Sequence, residues 1–327
     1  MIKEPAILIT GAAGFIGSSL VTELNLHGFS NLILADNFTK PGKVRYLHGK
    51  SFSARIESAD LFDFLNQDEQ AIKFVFHLGG KTANKNDFFK QNVEFSQRLF
   101  LWSEKNQIPF VSASSSSTYG AGEFGYSDDE VLVDKLIPLN DYAKSKHEFD
   151  KWILKKKSTS PWTVLKIFNV FGPNEYHKGV SASVAFKSFF EIRETGKVIL
   201  FGSSNPAYEP GEQQRDFIYI KDVVKILFWF LEGWVQHEPH FASGIYNVGS
   251  GVGKSFNDVA KSVFAAMGLP EKIEYKPIPA NILKSYPDSV VAPVQKLRLA
   301  GYVDKMWTLE NAISDLVKNY LTGGAIL

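Results

Sequence analysis

The stretch Ala6-Ile7-Leu8-Ile9-Thr10-Gly11-Ala12-Ala13-Gly14-Phe15-Ile16-Gly17 decides the fold. Its first five residues are a continuous apolar run, the pattern of a strand buried on both faces of a parallel sheet. Three glycines follow at a GxxGxxG spacing, and Phe15, Ile16, Leu20 and Leu24 then recur at helical spacing. Leu32-Ile33-Leu34-Ala35 is a second apolar run, ending at Asp36. Strand, glycine loop, helix and strand make one βαβ unit. Glycine lets a backbone turn sharply and approach a phosphate closely, and the helix start beyond it presents free N–H groups. The spacing is a variant of the GxGxxG fingerprint, and its alternative is a tight turn without a ligand. The position at the first strand of a chain that keeps the βαβ rhythm favours a nucleotide pyrophosphate.

That rhythm continues. Phe74 to His77 reads as a strand, Asn92 to Trp102 as a helix, Pro109 to Ala113 as a strand, Asp141 to Leu154 as a helix and Thr163 to Ile167 as a strand. Alternation of this kind implies an α/β, doubly wound parallel sheet. After Gly172 the alternation loosens. Helices are expected at 182–193, 222–234, 255–267 and 309–321, with strands at 217–220 and 273–275 and a Gly/Ser/Pro-rich stretch at 202–211. A smaller C-terminal subdomain closing over the sheet is expected. Gly249 to Ser255 looks like a P-loop but places Val248 where that motif needs glycine, so it reads as a strand-to-helix turn.

Composition narrows the chemistry. The 327 residues are 44% hydrophobic and 22% charged, as in ordinary globular proteins. Lys+Arg 36 against Asp+Glu 35 gives a net charge of +1, which points to no nucleic-acid or membrane partner. With no cysteine there is no disulfide, thiolate metal site or thiol nucleophile. The seven histidines show no ligand spacing, so no metal is expected. No apolar run nears the ~20 residues that span a bilayer. The start of the chain lacks the basic and small-residue features of a signal peptide. A cytoplasmic enzyme or binding protein is expected. Phe228, Trp229, Phe230 and Trp234 read as helix packing, with a homo-oligomer surface as the alternative.

Tyr142 and Lys146 stand four apart in the helix from Asp141, on one face. A nearby ammonium favours a phenolate and lowers the tyrosine pKa from ~10 toward neutrality. Such a tyrosine can exchange a proton with an alcohol while a hydride moves. The alternative is an exposed helix face. Ser114 to Thr118 ends the preceding strand, where open α/β sheets bind ligands, and a hydroxyl there can meet an oxygen whose charge changes. Asp36 at the end of the second strand suits a ribose and favours NAD over NADP. Lys40, Lys43 and Arg45 follow at once; they either meet a 2′-phosphate or form a solvated loop.

These elements together resemble the extended short-chain dehydrogenase/reductases that modify nucleotide-sugars. TGAAGFIG (Thr10 to Gly17), SASSSSTYG (Ser112 to Gly120), YAKSK (Tyr142 to Lys146), FNVFGP (Phe168 to Pro173), RDFIYIKDV (Arg215 to Val223) and YNVGSG (Tyr246 to Gly251) match in order across nearly the whole chain. Within that group the sequence looks most like the ADP-glyceromanno-heptose 6-epimerases, on FNVFGPNEYHKG (Phe168 to Gly179), ASVAFK (Ala182 to Lys187), LRLAGY (Leu297 to Tyr302) and DNFTKPGK (Asp36 to Lys43). The resemblance implies a Rossmann-like NADP-binding domain over residues 1–172 and a substrate-binding subdomain over 173–327. It implies bound NADP, with NAD as the alternative, held by Gly11, Gly14, Phe15, Ile16, Gly17, Asp36, Asn37, Lys43, Asp60, Leu61, Asn92, Tyr142 and Lys146.

The same resemblance implies chemistry: hydride leaves C6″ of the sugar and returns to its other face, with no net redox change. Tyr142 would serve one face, with Lys146 tuning it and holding the nicotinamide ribose, and Ser115 is the hydroxyl of the family motif. Lys178 would serve the other face, or else pair with the substrate diphosphate; a lysine acting as a base is expected to be buried, since desolvation lowers its pKa. Asn169, Lys187, Phe201, Arg215 and Tyr286 are the other substrate-side positions. His177 is expected to shape the loop. The chain departs from the pattern at the short loop Leu78 to Asp87, where Lys81 replaces a small residue, at Gly202 to Gln214, and at Pro293. Another UDP- or GDP-sugar epimerase or a 4,6-dehydratase remains an alternative, although no acidic residue stands in the serine motif for expelling water. A non-catalytic NADP(H)-binding regulator is a third reading, opposed by the presence of both Tyr142 and Lys146.

Overall fold

A computed structural model describes residues 5–39, 42–67, 72–81, 88–235, 242–283 and 286–327. Lys40 and most of the short loop, 82–87, lie outside the described residues. In chain order the first half contains β1 (Ala6–Thr10), α1 (Phe15–Leu26), β2 (Leu32–Asp36), β3 (Ala54–Glu57), α2 (Leu61–Leu65), β4 (Ile72–His77), α3 (Phe95–Lys105), β5 (Phe110–Ser115), α4 (Asp141–Leu154) and β6 (Trp162–Ile167). The second contains β7 (Asn169–Phe171), α5 (Val184–Thr195), β8 (Val198–Phe201), β9 (Gln214–Tyr219), α6 (Ile220–Val235), β10 (Gly244–Val248), β11 (Gly253–Ser255) and α7 (Phe256–Met267). β12 (Ile273–Lys276), α8 (Ala280–Leu283), β13 (Ser289–Val290), α9 (Gln295–Leu299) and α10 (Leu309–Asp315) complete it.

Seven strands form one parallel sheet in the order β10-β6-β5-β4-β1-β2-β3. The apolar runs are buried on both faces because side chains alternate along each strand. Ile7, Ile9, Leu32, Leu34, Phe74, Phe76, Leu165 and Ile167 join the core under α1, α5, α6, α7 and α10. Ala6, Leu8, Ile33, Ala35, Val75, Phe110 and Val164 join the core under α2, α3 and α4. Chain order reverses at β1 and β4, the switch point where such sheets open a crevice at their C-terminal edge. A second sheet places β9 between β11 and β13, with β7 also pairing β9, and β8 pairs β12.

Several elements differ from the sequence expectation. β3 and α2 lack the long apolar runs that marked their neighbours. Asn92 lies not in α3 but in the π-helical turn 90–94 before it. Gly253 to Ser255 pairs with β9 as a strand, and Ser255 caps α7 through a reciprocal bond with Asp258. β10 lies in the seven-stranded sheet beside β6, so the chain returns to that sheet after building most of the second one. The aromatic helix α6 is packed inward: Phe228 stacks on His27 with ring centroids 3.9 Å apart, and Trp234 meets Phe74 at 5.9 Å. At the far end of the chain, the amide of Asn174 holds Leu327, donating to its carbonyl at 3.3 Å and accepting from its N–H at 3.0 Å.

Two glycines are demanded by space. Gly11 has φ +69°, and a Cβ there would sit 2.6 Å from the Gly79 nitrogen. A Cβ on Gly17 would lie 2.2 Å from the Gly11 carbonyl oxygen. Gly17→Ala must therefore push α1 off the loop, and we expect a loss of about 1–3 kcal/mol in unfolding free energy. Urea denaturation measures this, and a variant as stable as its parent would show that the loop relaxes freely.

Candidate active site

The glycine loop is stitched to the end of β2. The N–H groups of Gly11 and Ala12 donate to the Ala35 carbonyl, and that of Ala13 donates to Asp36 Oδ2 at 2.9 Å. Asp36 Oδ1 accepts from the Asn37 N–H at 2.7 Å and lies 3.6 Å from Lys43 Nζ. One carboxylate thus fixes the loop and holds a cation at the mouth of the βαβ unit. Gly14 caps α1 with no side-chain acceptor, and no acidic residue occupies the first helical turn. The N–H groups there remain available to an anion. Leu61 is buried in the core, so only its backbone can meet a ligand, while Asp60 is exposed beside it.

Tyr142 and Lys146 project from α4 toward the C-terminal end of β5. Ser115 hydrogen-bonds Tyr142, and its hydroxyl also accepts from Ser117 Oγ at 2.9 Å. Lys146 Nζ donates to the Ala113 carbonyl at 2.8 Å. Burial pushes the Tyr142 phenol above its ordinary value; the Ser115 hydrogen bond opposes this, and the Asp150 carboxylate adds to it. The sequence expectation of a tyrosine tuned toward neutrality by Lys146 is therefore corrected. Desolvation is the largest cause at Tyr142, and Lys146 is itself buried and brought down to about 8. Gly80 keeps the space beside Lys146 open: a Cβ there would sit 3.1 Å from the ammonium and 3.3 Å from Asn92 Oδ1.

Asn92 locks the floor of this region. Its side chain accepts from the Lys81 N–H at 2.7 Å and donates to the Lys81 carbonyl at 3.0 Å and to Ser145 Oγ at 2.9 Å. His77 bridges Thr10 Oγ1 and Ser96 Oγ, each at 2.7 Å, and burial holds the imidazole down at about 3. The strand ends of β1 and β4 are thus tied to α3.

Lys178 arrives from the segment after β7. Its ammonium lies 2.9 Å from Glu175 Oε2 and 4.5 Å from the centroid of the Phe15 ring. Its side chain is 22% exposed. It is therefore partly open to solvent and ion-paired, not a fully buried lysine of the kind that desolvation tunes toward a base. Glu175 is fully buried and also accepts from the Gly172 N–H and from the Ser183 N–H and hydroxyl. His177 shapes this loop, meeting the Tyr46 hydroxyl through its backbone N–H at 3.2 Å and its ring Nδ1 at 3.3 Å. A Cβ on Gly80 would meet Lys146 and one on Gly11 would meet Gly79, so the glycine loop borders Lys146, while Lys178 borders Phe15 at the start of α1.

A third group gathers on the second sheet. Arg215 is 7% exposed, and its guanidinium lies 4.9 Å from the Tyr286 ring centroid and 5.3 Å from that of Phe256. Tyr286 meets Phe201 edge-on and stacks on Phe256. Asn169 is exposed on β7, with its amide donating to the Asp216 carbonyl at 3.3 Å. Lys187 is exposed on α5, on the side of Glu175 and Lys178. The sequence reading passed over Asn174, Glu175 and Phe256. Their signals were local: Ser255-x-x-Asp258 announces a helix start at Phe256, and Glu175 lies three residues before Lys178.

The residues present fit a dinucleotide. Gly11, Gly14 and Gly17 form a cradle that any Cβ would fill, the helix start is uncapped, and Gly80 leaves room at Lys146. Removing the Asn92 amide would take away its bonds to both backbone groups of Lys81 and to Ser145 Oγ. Asn92→Ala should cost about 1–3 kcal/mol, measured by urea denaturation, whereas an unchanged midpoint would show that water replaces the amide.

The comparisons agree with this geometry. Residues 7–249 match the model of the NAD dependent epimerase/dehydratase family. The chain is 37% identical over 332 residues to the ADP-L-glycero-D-manno-heptose-6-epimerase of Fusobacterium nucleatum, covering 96% of this chain and 98% of that protein. It is 35% identical over 324 residues to the protein of the same name from Nitratidesulfovibrio vulgaris, covering 96% and 97%. Among solved structures it is similar in fold to the UDP-N-acetylglucosamine 4-epimerase of Methanobrevibacter ruminantium, with TM-score 0.82 and 22% identity over 98% of this chain and 100% of that one. The Helicobacter pylori ADP-L-glycero-D-manno-heptose-6-epimerase gives TM-score 0.77 and 24% identity over 97% and 96%. The chain belongs to the NAD dependent epimerase/dehydratase family.

Proposed function

We propose that this chain is an ADP-L-glycero-D-manno-heptose 6-epimerase, interconverting ADP-D-glycero-D-manno-heptose and ADP-L-glycero-D-manno-heptose with bound NADP. The observation that carries this reading is the joining of Ser115, Tyr142 and Lys146 beside the glycine cradle, in a chain similar over nearly its whole length to proteins of that name. Gly11, Gly14, Phe15, Ile16 and Gly17 would hold the pyrophosphate. Asp36, Asn37, Lys43, Asp60 and Leu61 would hold the adenosine end, and Asn92 and Lys146 the nicotinamide side. When bound, the dinucleotide supplies an acceptor and donor of hydride and, oxidised, a positive ring. A positive charge beside Tyr142 favours its phenolate against the burial that opposes it.

Tyr142 then takes the proton of the C6″ hydroxyl as that carbon becomes a ketone, and Ser115 hydrogen-bonds the same oxygen. Once the ketone has turned, Lys178 supplies the proton on its other face, with Glu175 accepting from it at 2.9 Å. Arg215 would meet the substrate diphosphate, and Phe201, Tyr286, Asn169 and Lys187 would complete the nucleotide-sugar site. Residues 173–327, apart from β10, would form the substrate-binding part and residues 1–172 the cofactor-binding part.

Incubation of the protein with ADP-D-glycero-D-manno-heptose should yield the L-glycero epimer, and Tyr142→Phe should lose turnover by a factor of ~100 or more while keeping its cofactor. Turnover of a different nucleotide-sugar in place of this one would keep the family and overturn the substrate. The cofactor assignment rests on Lys43, whose ammonium stands at the end of β2. Lys43→Ala should weaken NADP by about tenfold relative to NAD, a loss of ~1.4 kcal/mol. Titration with both dinucleotides measures the ratio, and an unchanged ratio removes Lys43 from the 2′-phosphate site.

A further inference from the structure

Lys178 stands on a segment that is held from the cofactor side of the proposed site. The segment 174–178 follows β7, yet its neighbours come from α1 and from the turn Val44–Leu47 beyond β2. Asn174 is 0% exposed, and its amide donates to Ser18 Oγ of α1 at 3.1 Å. The Arg45 guanidinium lies 4.6 Å from the centroid of the Tyr176 ring and 5.1 Å from that of Tyr46. Lys178 itself lies over Phe15, the first residue of α1. Glu175 bonds within its own connection, to Gly172, Ser183 and Lys178.

The remaining grip is the Tyr46 hydroxyl. Tyr46 is 0% exposed. Its oxygen accepts from the His177 N–H at 3.2 Å and lies 3.3 Å from His177 Nδ1, and the two ring centroids are 5.4 Å apart. Among the described residues, both hydrogen-bond contacts of the hydroxyl fall on His177. His177 is held down at about 4, chiefly by burial, so its ring is neutral and Nδ1 can accept the one proton the phenol has to give. A phenyl ring would fill the same space without taking a hydroxyl out of water. What the hydroxyl adds is a fixed backbone at position 177, one residue before Lys178. The same turn is anchored at Lys43: the Tyr46 N–H donates to the Lys43 carbonyl at 3.0 Å, and the Lys43 ammonium lies 3.6 Å from Asp36. One turn thus carries the cation proposed for the 2′-phosphate and the hydroxyl that holds residue 177.

We propose that Tyr46 is a positioning residue for Lys178, aiming that ammonium from the cofactor-binding side of the molecule. The inference rests on the reading of Lys178 as the second proton-transfer group. It adds a buried residue of the 44–47 turn that acts through the backbone of His177 and takes no proton itself.

Tyr46→Phe keeps the ring and removes only the hydroxyl. With ADP-D-glycero-D-manno-heptose, its kcat should fall by about fivefold to tenfold, while KM and NADP affinity stay within about twofold of the parent. The two half-reactions separate positioning from general loosening. As C6″ of either epimer gives hydride to the bound dinucleotide, its hydroxyl proton passes to Tyr142 for one epimer and to Lys178 for the other. Each epimer is mixed with cofactor-loaded protein, and the absorbance of the reduced nicotinamide is followed. Tyr46→Phe should slow reduction by the epimer that Lys178→Met also slows, by about tenfold, and leave the other within about twofold. Equal slowing of both epimers is what a merely structural role gives, and it overturns the inference. If too little reduced cofactor builds up to be read, kcat against KM decides: an unchanged kcat, or a parallel loss of NADP affinity, overturns the inference. Failure of the underlying reading looks different. Turnover retained by Lys178→Met, or no turnover of this substrate by the parent, overturns that reading and the inference with it, whereas a Tyr46→Phe variant with parental kcat beside an inactive Lys178→Met overturns the inference alone.

Discussion

The structure depends on how closely three pieces of backbone approach one another at the switch point of the sheet. The turn after β1, the start of α1 and the turn after β4 meet without side chains between them, because Gly11, Gly17 and Gly79 stand there. This closeness brings the ends of β1 and β4 level with the helix start. It also leaves polar backbone, rather than side chains, facing the crevice. Asp36 secures the arrangement from β2, and His77 secures it from β4. The proposed contacts of Gly11, Gly14 and Gly17 are built on this junction.

Electrostatics around α4 follow from burial more than from pairing. Lys146 loses its hydration to reach the Ala113 carbonyl, and Tyr142 sits under the same desolvation. A tyrosine in that setting is reluctant to ionise until a further positive charge arrives. On the proposed reading, proton transfer would wait for the site to be loaded. The ammonium of Lys178 is arranged differently, at the surface of the crevice and held by a carboxylate that also fixes its own loop. The two groups proposed for proton transfer thus stand in unlike environments.

The fold was legible where burial dictates residue type. Ala6 to Thr10, Leu32 to Asp36 and Thr163 to Ile167 are apolar on both sides because both sides are covered, and Asp141 to Leu154 carried its own cap and period. β3 and α2 were not legible, since they lie at the sheet edge where one face is wet and the pattern is weak. The placing of β10 beside β6 could not be read either, because strand order is a property of tertiary packing. For the site, spacing alone placed Tyr142 and Lys146 on one face and marked the strand end at Ser115. The sign of the Tyr142 shift was misjudged because local spacing reports charges but not the depth at which they are buried. The pairing of Lys178 with Glu175 and the aromatic surround of Arg215 arise between segments far apart in sequence or across an irregular loop. No periodicity marks such contacts.

The return of β10 to the main sheet has a mechanical consequence. β6 and β10 are neighbours, both lead directly into strands of the second sheet, and the Phe168 N–H bonds the Val248 carbonyl where they part. The two exits are thus pinned to each other at one place on the sheet's edge. Ser115 stands in register with Ile167, the last residue of β6 before that place. The hydroxyl proposed to meet the sugar is therefore anchored where both strands leave the sheet.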